Sequence, residues 1–165
     1  MDDTLDRLFR EFELDSPAHE RLRREFGYAC ACRVEHLLEE AAVRECLQGL
    51  GQLIHGVMDR ADFAERVAAA ARLANRHQGS QSIDGCGHAA VSATYAVANA
   101  LAGKARQAAE YAAYAAVYGQ GGYGAVAERA SFEPEQAWQA DCLRQLATQP
   151  FRQETLLRSY RYCLR

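Results

Sequence analysis

Apolar residues recur along most of this chain every three or four positions, the period of an amphipathic α-helix, and no segment shows the strict alternation of a half-buried strand. Leu5, Leu8, Phe9 and Phe12 predict a first helix from Asp3 to Leu14. Asp15-Ser16-Pro17 then breaks and restarts the pattern. Ser16 is a good helix cap, and Pro17 suits a first turn because its missing N–H would have had no partner there. Leu22, Phe26, Ala29, Cys30, Val34 and Leu37 share the face of a second helix, expected from Pro17 to about Glu40. Leu47, Leu50, Leu53, Ile54 and Val57 mark a third from Ala42 to Val57, with Gly49, Gly51 and Gly56 as weak points or places of close backbone approach. A fourth runs from Arg60 to His77, capped by Asp59.

Gln78-Gly79-Ser80-Gln81-Ser82 reads as a loop. Beyond it the pattern changes in kind. The fifth helix (from Ser82 or Asp84 to Ala102) and the sixth (Lys104 to Tyr118) are dominated by alanine, with Gly103 at the joint. Small side chains let helix axes approach, so these two should form a tight antiparallel hairpin in the centre of a bundle. Gly119-Gln120-Gly121-Gly122-Tyr123-Gly124 is expected to be a connection. A seventh helix opens near Glu133-Pro134, carries Trp138, Cys142, Leu143 and Leu146, and stops at Pro150; a last one spans Gln153 to Cys163. The expected fold is therefore all-α: one domain over residues 1–165, a compact bundle of seven to eight helices around an alanine-rich hairpin.

Composition agrees with this and removes several functions. About one residue in five is alanine, the best helix former. The net charge is -3, without the concentrated basic excess of a nucleic-acid binder; the arginines at 21–24 and 158–165 read as solvated helix faces. No apolar run approaches the length of a membrane span, and the acidic start Met1-Asp2-Asp3 carries no apolar signal core. A cytoplasmic protein is expected. Its cysteines, at 30, 32, 46, 86, 142 and 163, have no framework spacing and are expected to be buried free thiols.

Candidate chemistry is sparse. Cys30 and Cys32 lie two apart, on nearly opposite sides of a helix, which does not suit a shared metal. Cys32 and His36 are four apart and share a face; with Cys86 and His88 they could supply four ligands, or Cys86 could be a nucleophile with His88 or His77 as base. Core thiols, caps and close-packed glycines explain the same residues without a cofactor. The glycine-rich 119–124 stretch lacks the Lys-Ser/Thr ending of a phosphate loop and the strand before a dinucleotide loop. No catalytic motif is present. Tyr111, Tyr114 and Tyr118 line one helix face, with Tyr95 on the neighbouring helix and Tyr123 beyond. Such a stripe lines a core edge or a binding surface, since tyrosine combines contact area with a polar tip. Trp138 is expected to anchor the seventh helix in the core.

Several segments resemble the alanine-rich helical immunity proteins of polymorphic toxin systems (the Imm-5-like family). These are Cys30-Ala31-Cys32-Arg33-Val34-Glu35-His36-Leu37-Leu38, the alanine run before Arg72, and Gly87-His88-Ala89-Ala90-Val91-Ser92-Ala93-Thr94 with the Ala/Tyr helix through Tyr114; Glu135 to Arg144 followed by Pro150-Phe151-Arg152 is similar to the close of related alanine-rich bacterial proteins. The resemblance implies a cytoplasmic, non-enzymatic protein that binds a protein partner, such as a toxin, and supplies no catalytic residue or cofactor. Tyr111, Tyr114, Tyr118 and Tyr123 are the candidate contact residues, and the acidic balance suits a basic partner. Two other readings stay open: the thiol or zinc site, and a module that pairs with copies of itself.

Overall fold

The computed structural model describes residues 3–77 and 86–148. They form α1 (Asp3–Glu11), α2 (Glu20–Arg33), α3 (Ala41–Ile54), α4 (Arg60–Arg76), α5 (Cys86–Leu101), α6 (Ala105–Ala127) and α7 (Glu133–Thr148), with short 3-10 turns at Pro17–His19, Glu35–Leu37 and Arg129–Phe132. No strand occurs among the described residues. The expected loop at Gln78–Ser82, the cap at Asp84 and the helix over 153–163 lie outside them, as does the side chain of Cys86.

The alanine hairpin is the spine. Ala89, Ala93, Ala96 and Ala100 of α5 and Ala105, Ala108, Ala109, Ala112 and Ala115 of α6 are all buried. Methyl-sized side chains at these positions let the two helices lie close over their whole shared length. Gly103, at φ 73°, turns the chain between them. Its N–H donates to the Ala100 carbonyl and that of Lys104 to the Asn99 carbonyl, satisfying two otherwise orphaned acceptors at the end of α5. α2, α3 and α4 pack on α5, and α7 packs on α6, α2 and α1. One contiguous apolar cluster joins all seven helices, from Leu5 and Phe9 of α1 through Phe26, Leu50 and Phe63 to Leu143 of α7. Buried polar groups are satisfied locally: the Thr94 hydroxyl donates to the Ala90 carbonyl, and Gln139 Nε2 donates to the Ala109 carbonyl at 2.8 Å, pinning α7 to α6.

At two of the glycines of α3 a side chain, not another backbone, comes close. A Cβ at Gly51 would stand 2.8 Å from the Tyr28 hydroxyl, and one at Gly49 would stand 2.3 Å from Cδ of Arg66. Asp59 caps α4, accepting from the Asp62 N–H at 2.8 Å.

Four boundaries differ from the sequence expectation; one is the third helix, which stops at Ile54 and leaves Val57 exposed beyond it. The first helix ends at Glu11, not Leu14, because Glu13 takes φ 46°. Leu14 N–H then reaches the Phe9 carbonyl and Glu13 N–H that of Arg10, the same hydrogen-bond pair that glycine makes at Gly56 and Gly103. A carboxylate side chain is a costly occupant of this left-handed position. Glu13→Gly is expected to stabilise the fold by about 1 kcal/mol, read as a higher urea midpoint at unchanged slope.

The second helix begins as a 3-10 turn capped by Ser16, becomes α-helical at Glu20 and stops at Arg33. Leu37 N–H bonds the Val34 carbonyl and Leu38 N–H that of Glu35, tightening the chain into a turn. The turn buries both Val34 and Leu38, and it sets Leu37 against α6 at Gly119, where a Cβ would be 3.1 Å from a Leu37 methyl. The sixth helix does not stop at Tyr118. It continues to Ala127, interrupted at Gly122, whose φ of 59° and ψ of -148° are open to glycine and to hardly anything else.

Candidate functional site

A hairpin that turns at Gly103 has a fixed register. Residues equally far before and after the turn face each other, as the contacts between α5 and α6 show. His88 and Tyr118 stand fifteen residues on either side of Gly103, Tyr95 and Tyr111 eight on either side. Both pairs stack: His88 on Tyr118 at 5.4 Å and 26°, Tyr95 on Tyr111 at 5.1 Å and 21°. The pairs are two turns apart along one seam, since seven residues separate them on each helix.

The outer pair collects further rings. The break at Gly122 brings Tyr123 back onto the hairpin, edge-on to His88 at 5.2 Å and to Tyr118 at 6.0 Å. Tyr114, one turn before Tyr118, lies 6.4 Å from it, and Phe132, in the turn leading to α7, meets Tyr114 edge-on at 5.2 Å. These edge-to-face and stacked arrangements suit the ring quadrupoles. His88, Tyr118 and Phe132 are half-buried, whereas Tyr114 and Tyr123 are 38% and 47% exposed. Elsewhere among the described residues the only other exposed large apolar side chain is Val57, far along the chain. The result is one continuous aromatic surface at the end of the hairpin away from Gly103.

Three of the four predicted contact tyrosines thus come together: Tyr114, Tyr118 and Tyr123. Tyr111 is half-buried and engaged with Tyr95 instead. His88, weighed in the sequence as a ligand or base, is a ring member of the patch. The signal for it is the symmetry about Gly103, the middle residue of the three-residue elbow between the antiparallel helices.

The cysteine and histidine expectations fare differently. α2 has ended by Val34, so His36 sits in a 3-10 turn and Cys32 and His36 do not share one α-helical face. Among the described residues no three His, Cys, Asp or Glu side chains converge as a metal would require. Cys30 and Cys46 are buried free thiols as expected, while Cys32 and Cys142 are only half-buried. Burial pushes the Cys30 thiol well above its ordinary range, helped by Cys142 and Glu135 nearby, and burial raises Cys46 as well. Neither is an activated nucleophile, which needs a lowered pKa.

A second polar feature lies where α2 meets α7. Glu135, 6% exposed, accepts a 2.7 Å hydrogen bond from Nε of Arg33, and the Arg33 guanidinium lies 4.3 Å from the centre of the Trp138 ring. Trp138 is half-buried, packed against the core on the inside and covered by Arg33. The other Glu135 oxygen, Oε1, has no partner among the described residues, and burial holds the carboxyl above the usual carboxylate range against the pull of Arg33. An ion pair joining two helices in this way locks their register.

No family model, curated protein or solved structure matches this chain. What the patch can do follows from its own chemistry. It is built from the imidazole of His88, the phenols of Tyr114, Tyr118 and Tyr123 and the ring of Phe132. It offers apolar area, ring faces and phenolic hydroxyls at a rigid helix end, which is the make-up of a recognition surface. No helix among the described residues is long and apolar enough to cross a membrane.

Proposed function

We propose that this chain is a non-enzymatic protein-binding module that meets its partner through the patch of His88, Tyr114, Tyr118 and Tyr123, backed by Phe132. The observation that carries this reading is the exposure of Tyr114 and Tyr123 in one ring cluster that the rest of the described protein leaves uncovered. Tyrosines held by neighbouring rings lose little entropy on binding and contribute large contact area. The resemblance to immunity proteins of toxin systems supports the finer reading, a cytoplasmic protein that neutralises a toxin by covering its active surface with this preformed helical face.

The test is native mass spectrometry of the tagged chain, purified under reducing conditions from its own host, beside a Tyr114→Ser/Tyr123→Ser variant. Both positions are exposed, so each substitution should change stability by only about 0.5 kcal/mol. The wild type is expected to carry a stoichiometric protein partner that the variant has lost. Equal partner on both would move the interface elsewhere. About one zinc per chain, and no partner, would overturn the reading in favour of the cysteine–histidine site.

A further inference from the structure

The chemistry of the patch also points to the kind of surface it receives. This step rests on the protein-binding reading and concerns the same site.

Three aromatic rings elsewhere in the molecule are each covered by an arginine of the chain itself. Arg33 lies over Trp138 at 4.3 Å, Arg106 over Phe9 at 4.4 Å and Arg24 over Phe63 at 5.2 Å. Flat guanidinium groups stack on ring faces because the face is electron-rich and the group is weakly hydrated. Among the described residues no arginine covers Tyr114, Tyr118 or Tyr123 in this way, and two of the three are more than a third exposed. Cations are also scarce in the sequence that builds the patch. α5 carries no Asp, Glu, Lys or Arg at all. From residue 107 to 133, Glu110, Glu128 and Glu133 stand against Arg129 alone. Glu110 lies one helical turn before Tyr114, and Glu133 directly follows Phe132, the ring that touches Tyr114. All three carboxylates are exposed.

From this we infer that the patch receives a basic segment of a partner protein, with arginine side chains laid on the tyrosine faces and paired at the rim with Glu110 and Glu133. The exposed tyrosine rings and the carboxylates next to them in the sequence both favour a cation, and the same carboxylates repel an acidic segment or a phosphate backbone. Arginine is preferred to lysine because it stacks and pairs at once.

Short alternating glycine–arginine, glycine–lysine and glycine–glutamate peptides, titrated into the full chain and followed by tyrosine fluorescence, test this. The arginine peptide is expected to bind best, the lysine peptide more weakly and the glutamate peptide not at all. Tyr114→Leu with Tyr123→Leu keeps apolar bulk but removes the ring faces, and should weaken the arginine peptide about tenfold. Glu110→Gln should weaken it less and flatten its salt dependence. Absence of arginine-peptide binding, equal binding to the leucine variant, or preference for the glutamate peptide would each overturn the inference. If the host partner is still lost from the Tyr114→Ser/Tyr123→Ser variant while the peptides fail, the binding module stands and its cationic preference falls; if both fail, the module reading falls too.

Discussion

Arg33→Ala should cost the fold about 2–3 kcal/mol at neutral pH and far less near pH 4. Glu135 is almost fully buried, and one of its oxygens depends on Arg33 for its hydrogen bond. Removing one partner of a buried pair leaves a charge that water cannot reach, typically worth about 3–5 kcal/mol; the side chain of Arg33 is 34% exposed, which places the expected loss lower. The pH dependence follows from the direction of the shift. The carboxyl of Glu135 titrates above its ordinary 4.5 in the fold because burial outweighs Arg33. A raised value means that the group favours the fold when protonated and that this contribution is lost as pH rises through the folded pKa. Without Arg33 the folded pKa rises further, so the variant falls behind the wild type with increasing pH. Below the unfolded value both forms carry a neutral Glu135, and what remains is the lost stacking on Trp138. Urea unfolding of both proteins across this range reads the gap directly, and Glu135→Gln in the Arg33→Ala background should recover most of it at neutral pH. A gap independent of pH would show that Arg33 acts by packing alone.

The sequence carries the bundle well and the patch only in part, for reasons that can be placed at single residues. Helix positions follow from local periods, which is why Asp59 and Gly103 mark real helix ends, whereas Gly56, expected inside the third helix, turns the chain after it. The alanine hairpin is legible because its small residues are consecutive and its turn is a glycine. Features that depend on what lies opposite are not legible from a period. Glu13 in a left-handed conformation carries no residue signal, since glycine is the expected occupant. Val34 ends α2 with neither glycine nor proline, because the gain lies in burying Leu38 and bringing Leu37 against Gly119. Cys32 and His36 looked like a pair only while the helix was taken to continue. His88 stands out in the sequence beside Cys86, and the hairpin register also makes it the ring opposite Tyr118, which no local period shows. The tyrosine stripe was visible as a stripe, but its division into an inner pair with Tyr95 and an outer cluster depends on where the chain bends at Gly122.

That bend gives the second large expectation. Gly122→Ala should destabilise the protein by about 2 kcal/mol and dismantle the outer half of the patch. At φ 59° and ψ -148° a Cβ is strained whatever space surrounds it. Alanine also favours an uninterrupted helix, so the variant can relieve its strain by running α6 straight through position 122. Straightening removes the reversal that sets Tyr123 against His88 and Tyr118, while Tyr114 and Tyr118, which precede the bend, keep their places on the hairpin. The effect on structure is therefore local and readable. In the wild type the His88 ring protons lie within the shielding of two aromatic rings, one stacked and one edge-on. Proton NMR of the variant should show the His88 resonances move toward ordinary values as the Tyr123 contact is lost, with the Tyr95–Tyr111 pair unperturbed. Partner capture should fall in parallel, because an aromatic anchor has left the surface that the binding reading requires. Unchanged His88 shifts in a destabilised variant would mean that the bend survives alanine under strain. In that case the reversal is imposed by the packing of the residues after it on the end of the hairpin, and glycine serves there to relieve the strain, not to create the turn.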